Sequence, residues 1–420
     1  MKVLVVGGGG REHALVWKLA KSPKVADIYC APGNGGIKDL AQCVDIKATD
    51  IEKMTVFAQN ENIDLVIVTP DDPLVLGMVD ALEKKGIRAF GPSKRAAVIE
   101  GSKVFSKNFM KKHNIPTANF EVFDDRELAL EYLRTCKYPT VVKADGLALG
   151  KGVFIAKDLK EAKDAVDACM VDKVFGRSGN RVVIEEFIEG PEISVLCFTD
   201  GETIVPMPSA QDHKRIYDGG KGPNTGGMGA FSPSPHYTED MARYCMDNIF
   251  KPTMNAMNEE GRKFKGILYF GLMLTDSGIK VLEYNARFGD PETQVILPLL
   301  KTDIVDIFEA IIDERLEGIN IEWKENICAL TVVLASGGYP GAFNRGYHIQ
   351  GLDEIDKIKD LTVFHAGTKS GENVYYTDGG RVLNIVSTGK NIKEARDNIY
   401  KNIDKIQFKD MFYRKDIGKK

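Results

Sequence analysis

Four stretches of this chain place reactive side chains at spacings that a backbone can use. The run Lys280-Val-Leu-Glu283-Tyr-Asn285-Ala-Arg287-Phe-Gly-Asp290-Pro-Glu292 follows an apolar segment and reads as a strand. Side chains alternate across a strand, so Glu283, Asn285 and Arg287 are expected on one face and Leu282, Tyr284 and Ala286 on the other. A carboxylate and an amide oxygen suit a hard divalent cation that shares nucleotide phosphates. A guanidinium beside them suits the charge on a transferring phosphoryl group. A solvated strand face is the plainer alternative, but this clustering after an apolar hairpin favours chemistry.

The segment Lys143-Ala-Asp-Gly146-Leu-Ala-Leu-Gly150-Lys151-Gly152 superficially looks like a P-loop. It departs from one because three residues, not four, separate Gly146 from Gly150, and Gly152 replaces the magnesium-holding Ser or Thr. Val153-Phe-Ile-Ala then reads as a strand. A glycine-rich turn between strands, bracketed by Lys143 and Lys151, makes a flap that closes over polyphosphate and excludes water. At the N-terminus, Val3 to Gly10 followed by Arg11-Glu12-His13 is a strand, four glycines and a helix start, which offers free N–H groups and positive dipole to a phosphate. A dinucleotide fingerprint would need another glycine where Glu12 or His13 stands, and no acid closes the next strand at Cys30-Ala31-Pro32, so NAD is disfavoured. The fourth stretch, Val182-Val-Ile-Glu185-Glu186-Phe187-Ile188-Glu189-Gly190-Pro191-Glu192, is a strand ending in acids that can accept from an adenine amino group and ribose hydroxyls. By itself that signal is weak. Gln211-Asp212-His213-Lys214-Arg215 and Asn224 to Gly229 suit a charged small substrate, with a surface charge cluster as the alternative. His213 has no nucleophile or base partner and takes no triad role.

These groups must be held by several domains, because 420 residues at about 150 per domain give roughly three. Lys plus Arg against Asp plus Glu is 56 − 60 = −4, with no long run of one sign, which argues against nucleic acid or acidic membrane as main partners. Seven scattered cysteines make a disulfide framework or zinc cluster improbable, and with no signal peptide or 18-residue apolar span a cytoplasmic protein is expected. Up to about residue 100, apolar runs at Val3–Val6, Ile28–Ala31, Val44–Ile46, Leu65–Val68 and Ala89–Phe90 alternate with helical patterns near 12–21, 51–60 and 74–85, which predicts a doubly wound parallel sheet. Ser102 caps a linker helix reaching His113. Strands joined by turns between 117 and 200 form an α+β lobe. The glycine-rich stretch 218–235 reads as a long functional loop. Strands resume at Gly266–Leu274 and Lys280–Asn285, a helix follows near 303–314, and the chain ends in a strand-rich segment.

In this order and at these separations the motifs resemble the ATP-grasp family and, within it, the phosphoribosylamine-glycine ligases, or glycinamide ribonucleotide synthetases. The likeness covers nearly the whole chain. It adds Ala31-Pro-Gly-Asn34, Glu100-Gly-Ser-Lys103, Gly222-Pro-Asn-Thr-Gly-Gly-Met-Gly229, Phe364-His-Ala-Gly-Thr368 and Arg414-Lys-Asp-Ile-Gly418 to the motifs above. The resemblance implies an N-terminal α/β domain over 1–101, an ATP-grasp core over 102–320 with a lid at about 117–192, and a C-terminal domain over 321–420. It also implies that ATP, glycine and 5-phosphoribosylamine become ADP, phosphate and glycinamide ribonucleotide, with Mg2+ or Mn2+, in a monomer or weak homo-oligomer.

Carried over by position, Lys103 and Lys143 are similar to the family's phosphate lysines, and Gly146, Gly150, Lys151 and Gly152 to its mobile phosphate loop. Glu185, Glu186 and the backbone of Phe187 and Ile188 resemble the adenine hinge, and Glu192 the ribose ligand. Glu283 and Asn285 resemble the metal ligands and Arg287 the acyl-phosphate arginine. Asp212 and Lys214 are taken as catalytic residues beside Asp290 and Glu292 in the glycine and sugar-phosphate pocket. Gly9, Gly10, His13, Gly33 and Asn34 are expected at the phosphoribosyl group. The chain departs from the family at Asp71, where Glu is usual, at Pro191, where an acid is frequent, and at Gly271-Leu272-Met273, where other ATP-grasp enzymes carry a second metal carboxylate. The competing readings are a nicotinamide-dependent oxidoreductase, a nucleotide-binding regulator without turnover, and an ATP-grasp ligase using a different acid. The lost fingerprint counts against the first, and the intact Lys143, Glu283, Asn285 and Arg287 against the second. With its last motif ending at Gly418, no fused second enzyme is expected.

Overall fold

The computed structural model describes residues 1–148, 152–355, 357–372 and 374–419. The first sheet is parallel, β1 (Lys2–Gly7), β2 (Asp27–Pro32), β3 (Gln42–Cys43), β4 (Leu65–Val68) and β5 (Ala89–Phe90), in the order β3-β2-β1-β4-β5. Helices cover both faces, so Val3–Val6 and Leu65–Val68 are buried on each side, as an unbroken apolar run requires. The third strand lies two residues before the expected Val44–Ile46. The expected helix 74–85 is two, Asp71–Leu76 and Met78–Glu83, because Gly77 at φ +97° ends the first turn and starts the next. Gly86 closes it as expected, with Gly86 N–H donating to Glu83 O and Ile87 N–H to Leu82 O. Ser102 caps the helix Lys103–Lys112 by accepting from Phe105 N–H, and an unforeseen helix, Lys94–Gly101, precedes it.

The lid is an antiparallel sheet, β6 (Phe120–Phe123), β7 (Thr140–Ala144), β8 (Val153–Ala156) and β9 (Val182–Glu186), ordered β6-β9-β7-β8, with its own core of Leu133, Val142, Val166, Cys169 and Ile184. The expected hairpin around 145–152 is β7 paired with β8. The central sheet is β10 (Glu192–Thr199), β11 (Ile204–Pro206) and two strands further on. Between them the expected loop at 218–235 is instead ordered structure. After β12 (Gln211–Asp212), β13 (Arg215–Tyr217) and β14 (Lys221–Asn224) form a hairpin, and β15 (Gly229–Ser232) follows. The glycines that erased the periodicity supply its tight turn, with Gly219 and Gly220 at φ +69° and +67°.

The central sheet closes with β16 (Gly266–Thr275) and β17 (Gly278–Asn285), in the order β11-β10-β16-β17. The last large sheet, β12-β15-β18-β23-β20, adds β18 (Cys328–Ala335), β20 (Leu361–His365) and β23 (Arg381–Gly389). Beside it β19 (His348–Ile349), β21 (Thr368–Ser370) and β22 (Tyr375–Thr377) make a small sheet in the order β19-β22-β21. Because β15 pairs with β18, this sheet is continuous across residue 320 and carries Asp212 on its edge strand. Among the described residues no helix is long and apolar enough to cross a membrane.

Candidate active site

A cavity of about 480 Å³ opens between the lid, the central sheet and the edge strand bearing Asp212. Lys103, Lys143, Gly152, Glu185, Glu186, Phe187, Ile188, Glu192, Asp212, Lys214, Glu283, Asn285, Arg287, Asp290 and Glu292 all line it. Residues far apart in the chain thus converge on one volume. Gly146 does not itself line it but precedes the lining Leu147, at φ +101°, with its carbonyl accepting from Lys103 Nζ at 2.9 Å. Gly150 and Lys151 lie outside the described residues.

At the back, Glu185 is held by two lysines, with Lys107 Nζ 3.0 Å from Oε2 and Lys143 Nζ 2.9 Å from Oε1. Burial pulls the Lys107 pKa down to about 8 against the pull of Glu185. The Glu185 carboxylate thus lines the cavity as the shared counter-ion of Lys107 and Lys143, and beyond that ion pair its Oε1 has no hydrogen-bond partner. Glu186 is likewise engaged, accepting from Asn119 N–H at 3.0 Å and from Lys280 Nζ at 2.9 Å. Phe187 and Ile188 continue the same cavity wall.

On the central sheet Glu283, Asn285 and Arg287 all line the cavity as expected, and the alternation breaks only at Leu282. Gly271 pairs with Glu283 but Leu272 pairs with Val281, so a bulge leaves Leu282 unpaired and lining the cavity beside Glu283. Lys214 bridges two strands, contacting a Glu192 oxygen closely and lying 3.4 Å from Glu283 Oε1. Lys214, then Lys143 and Lys103, hold the Glu283 pKa down to about 2 against burial, so this carboxylate is ionised throughout the physiological range. Burial works against the Lys214 charge, yet Glu192 and Glu283 keep its pKa well above the usual value. A side chain on Gly271 would begin 3.2 Å from Glu283 Cγ, so this position sits close against the Glu283 side chain.

The donor set for a divalent cation is the ionised Glu283 and the Asn285 amide oxygen, which lies 3.2 Å from Arg287 Nη2. Among the described residues no group of three His, Cys, Asp or Glu side chains forms a metal cluster. Two hard oxygens on the cavity wall nevertheless fit a cation whose remaining ligands are phosphate oxygens and water.

Arg287 is oriented by Glu100, a residue given no role in the sequence reading beyond its motif. Glu100 Oε1 lies 2.8 Å from Arg287 Nη2 in an ion pair, and Oε2 accepts from Ala286 N–H at 2.7 Å. Burial raises the Glu100 pKa to about 7 despite Arg287. Deeper in, Glu292 Oε1 accepts from Ser194 Oγ at 3.0 Å and from Tyr269 OH at 3.1 Å. Asp212 faces it, its Oδ1 buried without a partner, and burial together with the Glu292 charge pushes its pKa well up. The Asp290 carboxylate lies 3.3 Å from Arg381 Nη1 in an ion pair and accepts from Gln294 Nε2 at 2.8 Å, while Arg381 donates to the Asp290 carbonyl at 3.0 Å. Arg381 also donates to Gly226 O at 2.6 Å. It lies in the C-terminal sheet, 91 residues from Asp290, and no local signal could have found it.

The N-terminal loop is packed rather than open. His13 is 6% exposed, its Nδ1 accepts from His365 N–H at 2.8 Å, and burial beside His365 lowers its pKa to about 3. Asn34 donates from Nδ2 to Gly8 O and His365 O and accepts at Oδ1 from Gly36 and Ile37 N–H. The Asn34 side chain, and His13 through its Nδ1, hold this loop against the C-terminal sheet. Side chains at Gly9 and Gly10 would meet Glu12 Oε2 at 2.9 Å and Asn384 Nδ2 at 2.4 Å, with Asp290 Oδ2 3.4 Å from the first, and at Gly33 one would meet Cys43 Sγ at 2.4 Å. Of these, Gly9 sits nearest the cavity acids.

Models of the phosphoribosylglycinamide synthetase N domain, ATP-grasp (A) domain and C domain match residues 1–100, 101–293 and 329–420. Over 418 residues the chain is 51% identical to the phosphoribosylamine-glycine ligase of Caldanaerobacter subterraneus subsp. tengcongensis, spanning 100% of this chain and 99% of that protein. The crystal structure of phosphoribosylamine-glycine ligase from Thermotoga maritima superposes with a TM-score of 0.86 at 34% identity, covering 99% of this chain and 100% of that one. The biotin carboxylase domain of Hydrogenobacter thermophilus 2-oxoglutarate carboxylase, at 18% identity and TM-score 0.74 over 98% of this chain and 91% of that one, shares the fold alone. With likeness running the full length and through all three domain models, the chain belongs to the phosphoribosylglycinamide synthetase family.

Proposed function

We propose that this protein ligates glycine to 5-phosphoribosylamine at the expense of ATP, a step of purine biosynthesis. A carboxylate is a poor acyl donor. The γ-phosphoryl group of ATP therefore passes to a glycine carboxylate oxygen, ADP leaves, and glycyl phosphate forms. The amine of phosphoribosylamine attacks the acyl carbon, the carbon–oxygen bond to phosphate breaks, and the amine loses a proton to give the amide. The nucleophile is already an amine, so positioning and charge stabilisation supply most of the rate.

In this reading Lys103, Lys143 and the loop from Gly146 to Gly152 take the phosphates, with Gly150 and Lys151 as part of that loop. The backbone of Phe187 and Ile188 takes adenine, and Glu192 the ribose. Glu283 and Asn285 would hold Mg2+ or Mn2+, which when bound neutralises charge on the ATP phosphates. Arg287, set by Glu100, stabilises the acyl phosphate. Asp212, Lys214, Asp290 and Glu292 orient glycine and the amine, with Gly9 and Gly10 toward the sugar phosphate. The same proposal divides the chain at about 101 and 320 and places a monomer or weak homo-oligomer in the cytoplasm.

The observation that carries it is the convergence of Lys143, Glu283, Asn285 and Arg287 on one cavity with the Asp212–Glu292 acids at its end. Following ADP release with glycine, and with phosphoribosylamine generated in place from ribose 5-phosphate and ammonia, tests it. ADP release indifferent to glycine would sink the proposed substrate.

A further inference from the structure

The C-terminal motif Arg414-Lys-Asp-Ile-Gly418 has no part in the chemistry above, yet it is built more firmly than chain ends usually are. Arg414 is 4% exposed. Its Nε and Nη2 donate to the two oxygens of Asp416 at 2.7 and 2.8 Å, and its Nη1 donates to Arg215 O at 2.9 Å. Asp416 Oδ2 also accepts from Gly219 N–H at 2.7 Å, while Lys415 N–H donates to Asp218 Oδ1 at 2.8 Å. The contacts to Arg215, Asp218 and Gly219 all fall on the β13–β14 hairpin. Behind them Ile216 is buried with Met228 and Ala335, and Tyr217 stands edge-on to Phe412 at 5.9 Å.

The hairpin's other side faces the cavity, which Arg215, Asn224, Thr225 and Gly226 line. Thr225 N–H and Oγ1–H both donate to Lys214 O at 2.8 Å. Whatever fixes this hairpin therefore also fixes the backbone of the lysine that lies between Glu192 and Glu283. A two-stranded hairpin with an exposed glycine tip is marginal by itself. Its position has to come from outside.

We propose that Arg414 and Asp416 are positioning residues, a C-terminal clamp that holds the 215–226 hairpin, and through it Lys214, in the register that the amino-acid side of the cavity requires. The kinetic consequence rests on the ligase reading. The conformational one does not. A site whose competent conformation is only partly populated loses apparent affinity in proportion to that fraction.

The test uses the full chain as Asp416→Ala and, because that change could impair folding, also as Asp218→Ala at the exposed hairpin tip. Hydrogen exchange at Gly219 and its neighbours from 216 to 224 is expected to quicken about tenfold or more, while protection in Ile267–Leu272 stays as in wild type. The kcat/KM for glycine is expected to fall about tenfold in Asp416→Ala and less in Asp218→Ala, with a markedly smaller loss of ADP affinity by calorimetry. Unaltered hairpin exchange overturns the clamp. So does exchange that rises evenly across the chain, or a loss of ADP affinity as large as the loss in glycine. A wild-type protein without glycine-dependent turnover would count against the ligase reading, and hairpin exchange would then decide the clamp by itself.

Discussion

Glu185→Gln tests the charge balance at the back of the cavity. The Glu185 side chain is 2% exposed between Lys107 and Lys143, themselves 3% and 9% exposed. Glutamine keeps the shape and removes the charge, so two buried ammonium groups lose their shared counter-ion. Removing one partner of a buried ion pair costs about 3–5 kcal/mol. Unfolding entropy of about 2.1 cal/mol/K per residue over 420 residues comes to about 0.9 kcal/mol/K, so Tm at neutral pH should drop by about 3–6 °C. The pH dependence gives a sharper check. Burial first, with Glu185 opposing, puts the folded Lys107 pKa at about 8, below its unfolded 10.5. Between those values the folded state binds fewer protons than the unfolded one, so stability rises as pH climbs from 8 toward 10.5. In the variant the ammonium is disfavoured further, and Lys107 releases its proton at lower pH. The deficit against wild type should therefore be largest below pH 8 and shrink above it, where Lys107 is neutral in both proteins. Melts followed by circular dichroism near pH 7 and near pH 9.5 measure this. An equal deficit at both, or none at neutral pH, would refute the reasoning.

Glu283→Ala should abolish turnover with the circular dichroism spectrum retained, and near-normal activity with unchanged metal dependence would remove Glu283 from the metal site. Lys214→Met takes away the main influence holding the Glu283 pKa at about 2. A carboxylate depressed from 4.5 contributes stability above that value and loses it as pH falls toward 2, so acid unfolding should begin at higher pH in the variant. Coincident acid transitions would contradict this electrostatic account. Gly227 adopts φ +109°, and a Cβ there would stand 2.5 Å from Pro291 Cδ and 2.6 Å from Asp212 Oδ1. Gly227→Ala should cost about 1–3 kcal/mol of stability and displace Asp212, seen as a lower kcat/KM for glycine with ADP affinity intact. Unchanged glycine kinetics would place Asp212 outside the glycine pocket.

Much of this architecture was legible because its signals are local. An unbroken apolar run such as Val3–Val6 announces a strand buried on both faces, and Ser102 and Gly86 mark helix ends by groups that satisfy the backbone within a few residues. The cavity side chains Lys143, Glu192, Glu283 and Arg287 were legible for a related reason, since each sits in a compact motif. Where reading failed, the cause was usually a contact distant in sequence. Leu282 turned into the cavity because a bulge against the facing strand broke the two-residue period. The hairpin after Arg215 stayed hidden because its glycines carry no side-chain pattern.

The sequence by itself determined most of the strands and helices and the motifs that gather charged and amide side chains, because side-chain type and short-range periodicity encode both. Only the tertiary structure decided how those groups are partnered. His13 accepts from His365 N–H, Asn34 donates to Gly8 O, and Glu185 sits between Lys107 and Lys143, partners that no local pattern announces. Glu100 and Arg381 gain meaning only from Arg287 and Asp290, which folding brings beside them. Electrostatics and hydrogen bonding act through distances of a few ångströms. The chain specifies those distances only after its sheets have packed.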